Sequence, residues 1–273
     1  MNVVILGCGY VGRAVAARWR SIHQVTVTTT TLAKVAELEP LAHRVEVIRS
    51  EEVARMRLLL QNQHLLLLSV GAPHPNAYES TYLQTAKTII SLLPDLPDLR
   101  QIIYTGSYAV YGDQQGAWVD ETTAIAPIGD KGQILAETEN LLLSAATPTR
   151  QVCVFRLGGI FGPGRELTQI FRRAVGTTRP GDGQDAANWV HLDDIVGAID
   201  FASHQALTGI YNLVCTEPTT TGAVLDQVCR QLGAPPVVWD ASQPSQRPYN
   251  ARVSNQKLRD AGYRFRYDRP LAI

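Results

Sequence analysis

The sequence predicts an α/β chain: a parallel, doubly wound sheet followed by a smaller α/β lobe. Three observations carry this. Short apolar runs alternate with helix-spaced segments through residues 1–157. Runs such as LLLL at 65–68 are apolar at consecutive positions, as strands buried on both faces require. After Arg156 the texture changes to segments rich in Gly and Pro.

In chain order, strands are expected at Asn2–Leu6, 24–28, 44–48, 64–69, 100–105 and 151–156. Helices are expected between them at 10–20, 32–38, 51–60, 76–93 and 132–145. GGIFGPGR and TTRPGDGQDAANW then read as loops, and further helices are expected at 193–202, 219–232 and 254–261. The expected organisation is a dinucleotide-type domain over 1–157 and a smaller substrate lobe over 158–273, with some segments returning to the first domain. The sequence shows no internal repeat.

The 273 residues are 45% apolar and 18% charged, with 25 basic and 25 acidic side chains. This balance gives no reason to expect a nucleic-acid or anionic-membrane surface. No stretch reaches the roughly 18 apolar residues of a membrane span. Four cysteines stand apart at 8, 153, 215 and 229, without CxxC, which fits a reduced cytoplasmic protein. Neither the WVHLDD segment nor His74 has metal-ligand spacing, so no metal is expected.

VVILGCGYVGRAVAARW places Gly7, Gly9 and Gly12 in GxGxxG between a strand and a helix. Gly7 permits the tight turn. Gly9 lets a pyrophosphate approach the backbone at the positive helix end, and Gly12 lets helix and strand pack closely. Tyr10 and Val11 lie in the same turn. The expectation is a Rossmann-type dinucleotide site; the plain alternative is a tight turn with no ligand. An acidic residue for an NAD ribose is absent where Thr28, Thr29 and Thr30 follow the second strand. The neutral hydroxyls do not repel a 2′-phosphate, which favours NADP, but no Arg follows directly to grip it. The cofactor is therefore expected to be NADP or NAD.

YTGSYAVYGDQQGAWVDETTAIAP, RLGGIFGPGR, NWVHLDDI and GIYNLVCTEPTTTGAVLDQV occur in that order. Together they resemble the extended short-chain dehydrogenases/reductases of the NAD-dependent epimerase/dehydratase family, over nearly the whole chain. The closing RVSNQKLRDAGYRFRY resembles an atypical branch. The resemblance implies a cofactor set completed by Val70 and Gly71 after the fourth strand and by Leu157 and Gly158 after the sixth. It implies an active-site Ser107 four residues before Tyr111. It also implies a Tyr-x-x-x-Lys helix pair, and here the sequence departs: no tyrosine has Lys four residues later. In the better register, with Glu139 as the matching acid, the pair positions hold Lys131 and Leu135.

Ser107, Tyr111 and Lys131 are therefore the candidate catalytic residues. Tyr108, Arg165 and His191 are candidate substrate contacts. Each has a plainer reading: Ser107 as a turn residue, Arg165 as a surface arginine, His191 as a structural imidazole bonded to backbone, Asp193 or Asp194, and Lys131 as a solvated lysine. The implied function is an NAD(P)-dependent oxidoreductase or epimerase/dehydratase-like enzyme for a small polar, sugar-like substrate, with a non-standard active site. The alternative is a non-catalytic NAD(P)-binding redox sensor or regulator. The helical stripes at 76–93 and 132–145 admit a homodimer.

Overall fold

A computed structural model describes residues 1–270. Its strands are β1 (Asn2–Leu6), β2 (Gln24–Thr29), β3 (Arg44–Val47), β4 (Leu65–Leu68), β5 (Gln101–Ser107), β6 (Trp118–Val119), β7 (Gln151–Leu157), β8 (Gly159–Phe161), β9 (Thr178–Pro180), β10 (Trp189–His191), β11 (Gly209–Leu213), β12 (Val238–Asp240) and β13 (Arg252–Val253). Its α-helices are α1 (Tyr10–Trp19), α2 (Val35–Leu38), α3 (Val53–Leu60), α4 (Gln84–Leu92), α5 (Gly129–Leu143), α6 (Leu167–Ile170), α7 (Leu192–Gln205), α8 (Thr221–Gln231) and α9 (Gln256–Asp260). Two compact units result. Unit 1 is Met1–Ser107, Gly129–Arg156 and Val196–Tyr211; unit 2 is Tyr108–Ile128, Leu157–Ile195 and Asn212–Ile273.

The large sheet has the order β11-β7-β5-β4-β1-β2-β3. Pairing of β1 with both β2 and β4 is parallel, with Val3 opposite Val25 and Leu65. Strand order reverses at β1, which opens a crevice at the carboxyl ends of β1 and β4. Both faces are covered, as the unbroken apolar strands require. Val4, Leu6, Leu66, Leu68, Ile102 and Val154 pack with α3, α4 and α5 through Met56, Leu60, Ile89 and Leu142. Towards the other face, Trp19 of α1 is fully buried, and its indole N–H donates to Asp200 Oδ1 of α7 at 2.9 Å.

The expected helix at 76–93 is broken into three. A 3-10 turn at Pro75–Ala77 leads, through Tyr78, into a π turn at Glu79–Leu83, and α4 starts at Gln84. The wider turn sends the Gln84 N–H to Glu79 O, and the Ser80 carbonyl accepts instead from Ser50 Oγ at 3.1 Å. It also places Tyr78 and Tyr82 together, with ring centroids 5.2 Å apart.

Helix α5 is fixed to the sheet by charge. Arg156 of β7 donates through Nε to Glu139 Oε2 at 3.0 Å, and its Nη2 donates to Glu139 Oε1. The two side chains are 3% and 2% exposed.

In unit 2, β6 pairs with β13, which groups residues 108–128 with this unit. The two Gly- and Pro-rich segments are not wholly loop, contrary to expectation: β8 pairs with β10, and β9 with β12. Gly159 makes the first pairing feasible. A Cβ there would lie 2.8 Å from the Trp189 ring. Helix α8 is capped by Thr220, whose Oγ1 accepts from Ala223 N at 3.2 Å. Among the described residues no helix is long and apolar enough to cross a membrane.

Arg156→Met strands a buried carboxylate and is expected to cost about 3–5 kcal/mol in urea unfolding. The double variant Arg156→Met/Glu139→Leu is expected to recover most of that loss. Equal losses in both would contradict this role for the pair.

Candidate functional site

In unit 1 the glycine turn is held from below by β2. Thr28 is buried; its Oγ1 accepts from Gly7 N at 3.0 Å and donates to Ile5 O at 3.3 Å. Thr28 O accepts from Cys8 N at 3.0 Å. Thr28 thus supports the loop, while Thr29 accepts from Thr31 N at 3.2 Å and Thr30 is exposed. Gly7 has φ +88°, and a Cβ on it would lie 2.6 Å from Ser69 O and 2.7 Å from Val70 Cα. A Cβ on Gly12 would lie 2.5 Å from Gly7 O. These two glycines are required by packing. Gly9 is different: a Cβ there meets nothing within 4 Å. Gly9 also stands at the start of α1, where no side chain caps the helix and the first turn carries no acid. The result is an open cradle of backbone N–H groups at a positive helix end, the geometry that suits a pyrophosphate.

Val11 and Gly12 are buried and Tyr10 is half-buried on α1. Val70 is half-buried after β4, and Gly71 beyond it is exposed, with open space around it. Thr105 Oγ1 donates to Ser69 Oγ at 3.2 Å, tying the ends of β4 and β5. Ser107 closes β5 and is half-buried. Lys131, in the first turn of α5, is exposed, and its Nζ lies 5.6 Å from the ring centroid of Tyr78.

Unit 2 holds the remaining candidates. The Tyr111 side chain is fully buried. Its hydroxyl stands 2.8 Å from Asp120 O and 2.9 Å from Asn212 Oδ1. That phenol is committed inside unit 2. The Tyr108 hydroxyl accepts from Arg247 Nη2 at 3.2 Å. Burial pushes the Tyr108 phenol up to about 12, against the lowering pull of Arg247. Arg247 Nη1 also donates to Thr221 Oγ1 at 2.7 Å, whereas its buried Nε has no hydrogen-bond partner among the described residues. Arg247 is a functional candidate that sequence reasoning missed. Its contact with Tyr108 spans 139 positions, so no local pattern announces it. Unit 2 also has a polar groove of about 580 Å³, lined by Gln114, Gln115, Asp185, Asn250 and Arg252 among others.

Arg165 is exposed in a tight turn, its N–H donating to Gly162 O at 2.9 Å. Gly158, buried after β7, donates to Leu213 O at 3.1 Å, and Leu157 before it is 5% exposed. His191 is buried. Its Nδ1 accepts from Asp193 N at 3.1 Å, and its ring stacks on Tyr267 at 3.7 Å. Next to it, Asp194 accepts from Arg266 N at 2.8 Å and Tyr267 N at 3.1 Å. Burial nonetheless raises its carboxyl. Among the described residues no group of three or more His, Cys, Asp and Glu is placed to hold a metal.

A model of the NAD dependent epimerase/dehydratase family matches residues 3–213. The chain belongs to that family. Protein YeeZ of Escherichia coli (strain K12) is 29% identical over 287 residues, covering 100% of this chain and 98% of YeeZ. A functionally unknown conserved protein from Silicibacter pomeroyi DSS has the same fold, with a TM-score of 0.79 and 23% identity; 98% of this chain and 95% of that one are covered. The UDP-glucose 4-epimerase of Thermus thermophilus, solved as a complex with NAD, is also similar in fold. Its TM-score is 0.79 at 18% identity, with 97% and 94% of the two chains covered. Helix α5 of this chain carries Lys131 and no tyrosine.

The His191 imidazole is held below its usual value, chiefly by burial, with Asp193 and Asp194 offsetting part of the effect. The unfolded chain then binds the proton more tightly. The stability contributed is complete above the unfolded value, about 6.5, and is lost as pH falls through that value towards the folded one. Melting temperature is expected to drop between about pH 7 and pH 5. His191→Asn flattens the drop without abolishing it, because burial also lowers His23. An unchanged slope in thermal melts at stepped pH would count against this.

Tyr111→Phe leaves Asn212 Oδ1 short of a donor and is expected to cost about 1–3 kcal/mol in unfolding measurements. A loss below about 0.5 kcal/mol would contradict a structural role for that hydroxyl.

Proposed function

We propose that the chain binds a nicotinamide dinucleotide in unit 1 and acts as an oxidoreductase or epimerase/dehydratase-like enzyme on a small polar substrate carrying an anionic group, through a non-standard active site. The observation that carries this is the open cradle at Gly9, set between two glycines that packing requires. The loop N–H groups and the α1 terminus would hold the pyrophosphate, with Val70 and Gly71 beside them. The bound cofactor would supply hydride exchange. The protein's own part is to position the substrate and to handle a proton. NADP is the favoured form, because Thr29 and Thr30 present hydroxyls where a ribose-binding acid would otherwise stand.

The substrate class rests on unit 2. The unpartnered Nε of Arg247, beside the Tyr108 hydroxyl, is suited to a charge-assisted bond with a phosphate or carboxylate. The groove lined by Gln114, Gln115 and Asn250 suits hydroxyl-bearing groups. A sugar-like compound carrying an anion meets both conditions. A second reading, a non-catalytic NAD(P)-binding regulator, is favoured by the committed Tyr111 hydroxyl and by the lack of a tyrosine on α5.

Gly9→Val adds a side chain into open space. It is expected to leave the melting temperature nearly unchanged and to weaken NAD(P) binding at least about tenfold by calorimetry, because the pyrophosphate can no longer approach the backbone. No binding of NAD, NADH, NADP or NADPH by the native chain would overturn both readings. A turnover screen with anionic polyol and sugar substrates then separates them. Turnover lost in Ser107→Ala and Lys131→Ala supports the enzyme, whereas turnover indifferent to both removes these residues from the site.

A further inference from the structure

We propose that Arg13 is the specificity residue that recognises the 2′-phosphate of NADP, and that Glu37 is the counter-ion this phosphate displaces. The proposal rests on the dinucleotide reading above and names the cation that the end of β2 lacks. The residues there are Thr28, Thr29, Thr30 and Thr31, and no arginine follows directly.

Arg13 comes instead from the helix that leaves the glycine turn. It follows Gly12 in the first turn of α1, where its N–H donates to Gly9 O at 2.9 Å. Its Nη1 donates to Glu37 Oε2 of α2 at 2.8 Å, a contact across 24 positions. The pair therefore joins the helix after the glycine turn to the first α-helix after β2. Two further observations put the guanidinium on the β2 side of the turn. Cys8 N donates to Thr28 O at 3.0 Å, so Cys8 lies against β2 near its end. Burial pushes the Cys8 thiol up to about 11, against the lowering pull of Arg13. One cation thus acts on both the middle of the glycine turn and the helix beyond β2. In a doubly wound sheet the ribose that bears the 2′ group is met at this strand end. Thr29 is half-buried and Thr30 exposed there, which leaves hydroxyls free to join the guanidinium around a phosphate.

The ion pair is suited to exchange. The Arg13 and Glu37 side chains are 40% and 57% exposed, so the pair adds little to stability and costs little to open. A phosphate monoester brings more negative charge than a carboxylate and accepts the guanidinium fork through two oxygens. It therefore outcompetes Glu37 for the same N–H groups. With no phosphate present, Glu37 holds the long side chain towards α2, and NAD leaves the pair closed.

The other cations near this sheet end are less suited. Ile48 N donates to Thr29 O at 3.0 Å, which brings Arg49 close in sequence to the strand end. Arg49 is tied to Glu52, whose Oε1 accepts the Arg49 N–H at 2.9 Å and whose carboxyl is lowered in part by the Arg49 charge. Arg44 and Arg55 are paired with Glu46 and Glu52. Lys34, exposed in the turn before α2, offers a point charge without a fork.

The test is calorimetry of NAD and NADP binding to the full chain at low and moderate salt. Arg13→Gln is expected to weaken NADP at least about tenfold and NAD by less than about twofold. The salt dependence of NADP binding should fall towards that of NAD in the same variant. Glu37→Gln is expected to raise the ratio of NADP to NAD affinity at least about twofold, because the competing carboxylate is gone. Both sites are exposed, and thermal melts of the two variants should match the native chain. NADP binding unchanged in Arg13→Gln overturns the proposal, as does equal weakening of both cofactors. Loss of NAD binding in Glu37→Gln also overturns it, since Glu37 would then be the ribose-binding acid. In each of these cases the dinucleotide reading stands. Absence of binding of every form to the native chain overturns that reading and the proposal together.

Discussion

The buried pair between Arg156 and Glu139 is the constraint on which the arrangement of unit 1 depends. Two charges out of water are expensive unless each is met by the other in good geometry. Here the guanidinium reaches both carboxylate oxygens, so β7 and α5 hold one relative position. Glu139 lies eight residues beyond Lys131, which on a helix of 1.5 Å rise is about 12 Å along the axis. Pinning the lower half of α5 therefore sets the direction in which its first turn points. Thr138, also buried, adds a local bond to Ile134 O at 2.7 Å. The first turn itself carries exposed residues, Lys131 among them.

A second constraint works at the other end of the sheet. The glycine turn is often read as a matter of flexibility, but the packing shows something firmer. Gly7 and Gly12 are glycines because backbone atoms of Ser69, Val70 and Gly7 occupy the space a side chain would need. Thr28, in the region where the cofactor ribose was expected to meet the chain, instead holds the Gly7 N–H. The hydroxyl cluster at the end of β2 thus divides into a structural member, Thr28, and two more accessible members, Thr29 and Thr30. Cofactor preference is a question for the second group.

In unit 2 polar groups take a role that an apolar core fills elsewhere. Tyr111 bridges Asp120 and Asn212, and Asp194 collects two backbone N–H groups from the 266–267 segment. Small satellite clusters, such as Tyr108, Tyr111, Val119, Val214, Ala251 and Val253, fill the space between these bonds. Such a unit relies on each polar group finding its partner, because an unpaired buried group is costly. Arg247 Nε is the exception that stands out, and it carries the substrate argument for that reason.

Local pattern alone determined the six leading strands, the helices between them and the glycine turn, since hydrophobic period and strand–turn–helix context are written in neighbouring residues. It also showed that α5 carries no tyrosine. What it could not show were relations between distant positions. Where the expected helix at 76–93 splits, the Ser80 carbonyl accepts from Ser50 Oγ, 30 positions away. The strands hidden in GGIFGPGR and TTRPGDGQDAANW depend on β10 and β12, dozens of residues away. The burial of Tyr111, the meeting of Arg247 with Tyr108 and that of Lys131 with Tyr78 were likewise decided by tertiary structure, because a side chain's partner across the fold leaves no periodic trace in the chain.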